Sequence, residues 1–176
     1  VLVVYYDCSG DERIPDVVYN VMKNYYDLLS SKTVTLFEWG RSRWYESFVA
    51  LNFLWERHKE DWIIELARIL KEQGIDCDET SKLWKRPLNK WGMETHFVNI
   101  AMMLKHEAIS CELLGEEYTD SAERLVTILK QYNGTPVETF TGDECLSGLS
   151  PIHGSELCGI VEQMYSYEWL FACTGD

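Results

Sequence analysis

A short turn that keeps returning is what most limits how this chain can fold. Four segments of small or charged residues interrupt otherwise helical sequence: Cys8-Ser9-Gly10-Asp11, His58-Lys59-Glu60-Asp61, Leu114-Gly115-Glu116-Glu117 and Thr174-Gly175-Asp176. Successive turns lie about 50 to 60 residues apart, the length of two ordinary helices with their connections. Each interval is therefore a helical hairpin. A hairpin cannot bury its apolar face alone, so neighbours must stack, either as an open solenoid or as a closed α/α toroid.

Apolar residues between the turns recur at steps of three and four, the helical period. The pattern predicts helices over Ile14 to Leu29, Arg41 to Trp55, Asp61 to Gln73, Thr95 to Leu114, Thr119 to Tyr132 and Gly154 to Cys173. Pro15 suits a first helical turn, and Gly74 a C-cap. Lys105 is a polar break in the fourth stretch, and Asn133-Gly134 ends the fifth. Thr33 to Phe37 alternates briefly but is short for a strand. The fold class expected is all-α, built of helical-hairpin repeats. The 176 residues hold about three hairpins, whereas a closed toroid usually needs about six. Val1 to Tyr6 is a bare apolar segment. The chain reads as one helical-hairpin domain over residues 1–176, about half of an (α/α)6 toroid. The open face expects the remaining barrel half or self-association.

Charge and composition narrow the partners. Asp plus Glu number 29 against 16 Lys plus Arg, a formal net charge of -13. Nucleic acid and anionic membrane call for a basic face, so neither is expected as a partner. No run of 18 apolar residues offers a membrane span. A hydrophobic share of 46% supports a core. Aromatics at 13% can pack between helices or line a sugar cleft. The six cysteines are widely spaced with no C-x-x-C pair, which reads as free thiols. Free thiols and no visible signal peptide point to the cytoplasm.

Two stretches lack helical periodicity. Asp76 to Glu94 contains Trp84, Pro87 and Trp91, whose rings serve as a stacking platform or a bundle plug. Asn133 to Ser155 is long for a loop in a compact domain, and such loops often carry function. It holds Asp143, Glu144, Cys145 and His153, and Glu156 and Cys158 follow. Glu144 and Glu156 are two carboxylates brought together by a loop and a helix start, the equipment of glycoside hydrolysis. Glu156 and Cys158, two apart at a helix start, can both reach one zinc ion, with Cys145 and His153 as local additions. The competing reading is a buried structural Cys158. His96 and Asn99 share one helix face and suit a sugar hydroxyl, or else an N-terminal cap with a satisfied histidine.

Three runs carry a resemblance: Thr95-His96-Phe97-Val98-Asn99-Ile100-Ala101 with Leu104-Lys105; Gly142-Asp143-Glu144-Cys145-Leu146-Ser147-Gly148 with Pro151; and Gly154-Ser155-Glu156-Leu157-Cys158 with Val161-Glu162, Met164, Tyr165-Ser166 and Glu168. With Gly74 after Lys71-Glu72-Gln73, they resemble the β-L-arabinofuranosidase family, glycoside hydrolase family 127, and its bacterial relatives. The resemblance extends over essentially the whole chain and is most specific from Gly142 to Glu168.

The resemblance implies an α/α toroid catalytic domain of a retaining exo-glycosidase acting on carbohydrate. It implies Glu144 as general acid/base, Glu156 and Cys158 as two of four zinc ligands, and a zinc-bound cysteine nucleophile from an adjacent cysteine pair. These 176 residues contain no such pair. Asn133-Gly134 also departs from the His-Gly common in relatives. His96, Asn99 and His153 are the candidate substrate contacts. The expected function is a partial catalytic domain, inactive alone. Two alternatives stand beside it: a non-catalytic helical-repeat binding or interaction module, and a carboxylate-only hydrolase of the wider toroid superfamily.

Overall fold

The computed structural model describes residues 1–85 and 90–175. Pro87 and Asp176, named in the loop and turn readings, lie outside the described residues. The fold is all-α. The helices are α1 (Leu2–Ser9), α2 (Ile14–Ser30), α3 (Glu38–Ser42), α4 (Ser47–His58), α5 (Asp61–Gln73), α6 (Cys77–Ser81), α7 (Phe97–Met103), α8 (His106–Leu114), α9 (Ser121–Asn133) and α10 (Leu157–Thr174). Short 3-10 turns occupy Trp44–Glu46 and Lys82–Lys85. One two-stranded antiparallel ladder, β1 (Gly142–Asp143) with β2 (Cys145–Leu146), sits in the long loop. Thr33 to Phe37 has no strand structure. Among the described residues, no helix is long and apolar enough to cross a membrane.

All four recurrent turns contain a left-handed residue: Gly10 (φ 64), Lys59 (φ 52), Gly115 (φ 68) and Gly175 (φ 76). That conformation ends a helix and reverses the chain, and glycine reaches it without a Cβ clash. The repeated turn is thus a repeated backbone device. Lys59 performs it with a side chain attached.

The chain packs as two compact units, Val1–Gly74 with Glu112–Glu116, and Ile75–Cys111 with Glu117–Asp176. In the first, α2 packs on α4 and α5 through Val18, Met22 and Leu29. Trp62, Ile63, Leu66, Ala67 and Leu70 line the buried face of α5. Glu60 ties these helices together, accepting from Tyr19 Oη at 3.0 Å and Trp62 Nε1 at 2.8 Å. The helix expected over 41–55 is broken. Arg43 leaves helical dihedrals (φ -116, ψ 28), and the 3-10 turn that follows buries Trp44 and Tyr45 together. Gly74 does cap α5, but not by left-handed geometry, since its φ is -68. A Cβ there would lie 2.1 Å from Trp44 Cδ1, so glycine is needed for the approach of the indole.

In the second unit, α10 lies along α7. Gly159 permits the contact, because a Cβ there would come within 2.6 Å of the Phe97 ring. The helix expected over 95–114 splits into α7 and α8 at Leu104 and Lys105. The carbonyls freed at the split are used. Ser166 Oγ donates to Ala101 at 2.7 Å, Lys105 Nζ to Met102 at 3.2 Å, and His106 Nδ1 to Met103 at 2.9 Å. Lys105 is fully buried, and its ammonium also stands 5.1 Å from the Tyr165 ring centre. These contacts give the buried amino group polar and aromatic partners, which an apolar core alone would not supply. Asn133 at the end of α9 clamps the long loop. It donates to the Trp84 carbonyl at 2.9 Å and accepts from Gly148 N–H at 3.0 Å.

Candidate functional site

Three segments distant in sequence are stitched side by side at the start of α7 and α10. Phe97 N–H donates to the Glu144 carbonyl and Leu146 N–H to the Thr95 carbonyl, both at 3.0 Å. Gly142 N–H donates to Gly154 at 2.9 Å, and Glu156 N–H to Gly142 at 3.0 Å. Residues 95–97, the β1–β2 turn and residues 154–156 thereby share one small patch of backbone pairing. Each contributes one side chain with a metal-ligating atom to it.

His96 caps α7, its Nδ1 accepting from Asn99 N–H at 3.4 Å. Its side chain is 8% exposed, and its Nε2 lies 3.5 Å from Glu144 Oε2. Glu144 stands at the tip between β1 and β2 with φ 70 and a side chain 69% exposed. A non-glycine residue at this φ is strained, and such strain collects at functional positions. Glu156 caps α10 at its N-terminal end, and its Oε2 is buried without a hydrogen-bond partner. One ligand atom from each of His96, Glu144 and Glu156 lies within 4.8 Å of the other two. This group, buried at His96 and open at Glu144, can hold a metal ion.

Cys158 is exposed on the first turn of α10. A hydrogen bond to the Glu156 carboxylate, then that group's charge, raise its thiol pKa. Cys158 lies outside the three-residue group, which itself offers one imidazole and two carboxylates, with one Glu156 oxygen buried without a hydrogen bond. Cys145, the other local thiol, is buried, and its pKa is raised first by that burial and then by Glu144 and Asp143.

The remaining predicted contacts are placed differently. Asn99 is fully buried, with its amide donating to the Met93 carbonyl at 2.9 Å, and so holds the loop ahead of α7. His153 pairs with Asp143, Nδ1 to Oδ2 at 3.2 Å, and is not in the three-residue group. Trp84 is fully buried and donates to the Glu94 carbonyl at 2.9 Å, so it plugs rather than stacks. Trp91 is 48% exposed, with its ring centre 6.0 Å from that of His96. Of the two tryptophans, it is the one that borders the site.

The sequence pairs Glu144 with Glu156 and offers His96 as a sugar contact or as an N-terminal cap, and the cap is what forms. Nothing in the local spacing joins His96 to them; backbone pairing across about fifty residues does so. No family model matches the chain, and no curated protein or solved structure matches it.

Proposed function

We propose that this chain is part of the catalytic domain of a retaining glycoside hydrolase resembling the β-L-arabinofuranosidases. In this reading Glu144 is the general acid/base, and Glu156 and Cys158 hold zinc. The observation that carries it is the convergence of an exposed, strained Glu144 with His96 and Glu156, beside Cys158. When bound, zinc holds a cysteine as thiolate, the form able to attack an anomeric carbon. Glu144 would donate its proton to the leaving glycosidic oxygen and later accept one from water. Trp91, exposed at the rim, would stack on the sugar. The exposed apolar stripe of α10, formed by Leu157, Val161, Met164 and Phe171, supports further hairpins packing there, as half a toroid requires. Six free thiols support a cytoplasmic setting.

The expected nucleophile belongs to an adjacent cysteine pair, which these residues lack. The purified chain should therefore show no turnover of an aryl arabinofuranoside above background. Turnover that disappears in Glu144→Gln would overturn the inactive-alone part of the reading.

One observation favours a second reading. Carboxylate oxygens of Glu144 and Glu156 lie within 4.8 Å. That is no farther than the roughly 5–5.5 Å spacing of acid/base and nucleophile in retaining enzymes that use carboxylates alone. In that case Glu156 is the nucleophile and zinc is not needed.

A further inference from the structure

We propose that His96 and Glu144 join Glu156 and Cys158 as a four-donor site for a divalent transition-metal cation in this chain. A metal held this way occupies Glu144 and withdraws it from proton transfer. The proposal rests on the zinc-site reading above and adds the two donors that reading leaves for other tasks.

The geometry of the donors carries it. His96 Nε2 and Glu144 Oε2 are 3.5 Å apart, and the whole three-atom group lies within 4.8 Å. Ligands at the usual zinc distances of about 2.0–2.2 Å stand roughly 3.3–3.6 Å apart in a tetrahedron. One contact already has that separation, and the others, within 4.8 Å, need a contraction of at most about 1.5 Å. Glu144 supplies that movement most easily, because its side chain is exposed. Glu156 Oε2 is the second observation: a buried carboxylate oxygen without a hydrogen bond is costly unless something positive meets it. Cys158 is not among the three clustered atoms; it enters from the zinc-site reading, exposed on the first turn of α10 two residues after Glu156. Ligation through His96 Nε2 puts the ring proton on Nδ1. That gives up the contact from Asn99 N–H, which at 3.4 Å is long.

One imidazole, one thiolate and two carboxylates suit zinc, cobalt or nickel better than calcium or magnesium, which take oxygen ligands. The reach of Glu144 makes metal binding and acid/base readiness compete for the same carboxylate. Closure by another thiolate would release Glu144.

The test is titration of the 176-residue chain with cobalt(II), followed by visible ligand-field bands and thiolate-to-cobalt charge transfer. His96→Asn keeps a good helix cap while removing the imidazole. Glu144→Gln changes an exposed side chain, and circular dichroism checks the fold of both. Four-coordinate spectra are expected for the unaltered chain, with affinity falling about tenfold or more in each variant. Cys158→Ser should abolish the charge-transfer band. Affinity within about twofold of the unaltered chain in both variants overturns this proposal and leaves the Glu156–Cys158 zinc site standing. Absence of any cobalt binding overturns both.

Discussion

Glu144 holds a backbone conformation that glycine would adopt at no steric cost. Its φ of 70 puts Cβ against the following carbonyl, a cost of about 1–2 kcal/mol for an L-residue. The flexibility glycine adds to the unfolded chain offsets part of that. Glu144→Gly should stabilise the protein by about 0.5–1 kcal/mol in urea unfolding while weakening metal binding. A destabilised variant would remove the strain argument for a functional Glu144. The neighbouring thiol offers a second test at this scale. The Glu156 carboxylate keeps the Cys158 proton in place by hydrogen bond and charge. Glu156→Gln should move the pH profile of Cys158 alkylation to lower pH, as read by peptide mass mapping. An unmoved profile would mean that the two groups do not interact in solution.

Among the elements, helices with a clear apolar stripe are the ones legible in the sequence. Ile14–Ser30 and Asp61–Gln73 form where the three-and-four spacing places them, because one face alone meets the core. The two misread stretches, 41–55 and 95–114, break where a tertiary demand outweighs the period. At Arg43 that demand is burial of two adjacent large rings, and at Lys105 it is a buried amino group that takes the Met102 carbonyl. The site was half legible. Glu144 and Glu156 stand out by type and spacing, but His96 joins them only through long-range backbone pairing that no local pattern encodes. A similar long-range clamp holds the start of α9. Glu107 accepts from Thr119 N–H at 2.8 Å, Thr119 Oγ1 at 2.6 Å and Ser121 N–H at 2.7 Å. Burial alone would raise its pKa, but these bonds leave it lowered. A lowered folded pKa means a contribution to stability present above the unfolded value of about 4.3 and lost as pH falls through the folded one. Glu107→Gln should therefore narrow its stability gap from the parent chain as pH drops below about 4. A gap constant from pH 7 to 3 would count against the clamp.

Taken as a whole, the molecule has a core in each of two units and apolar helix faces left exposed. Leu157, Val161, Met164 and Phe171 form one such face on α10, and Val17, Val21 and Leu28 another on α2. Hairpin repeats produce this pattern naturally, since each relies on a neighbour to cover it. The helix that exposes the stripe also begins at Glu156 and Cys158, so the exposed apolar face and the candidate site share one element. The most direct measurement is the metal content of the purified 176-residue chain, loaded with zinc and dialysed exhaustively. About one zinc per chain is expected, lost in Cys158→Ala and in Glu156→Gln, because a site of this kind closes with about four ligands. A zinc-free chain, or zinc unchanged in both variants, would contradict it and leave the carboxylate pair to act without metal.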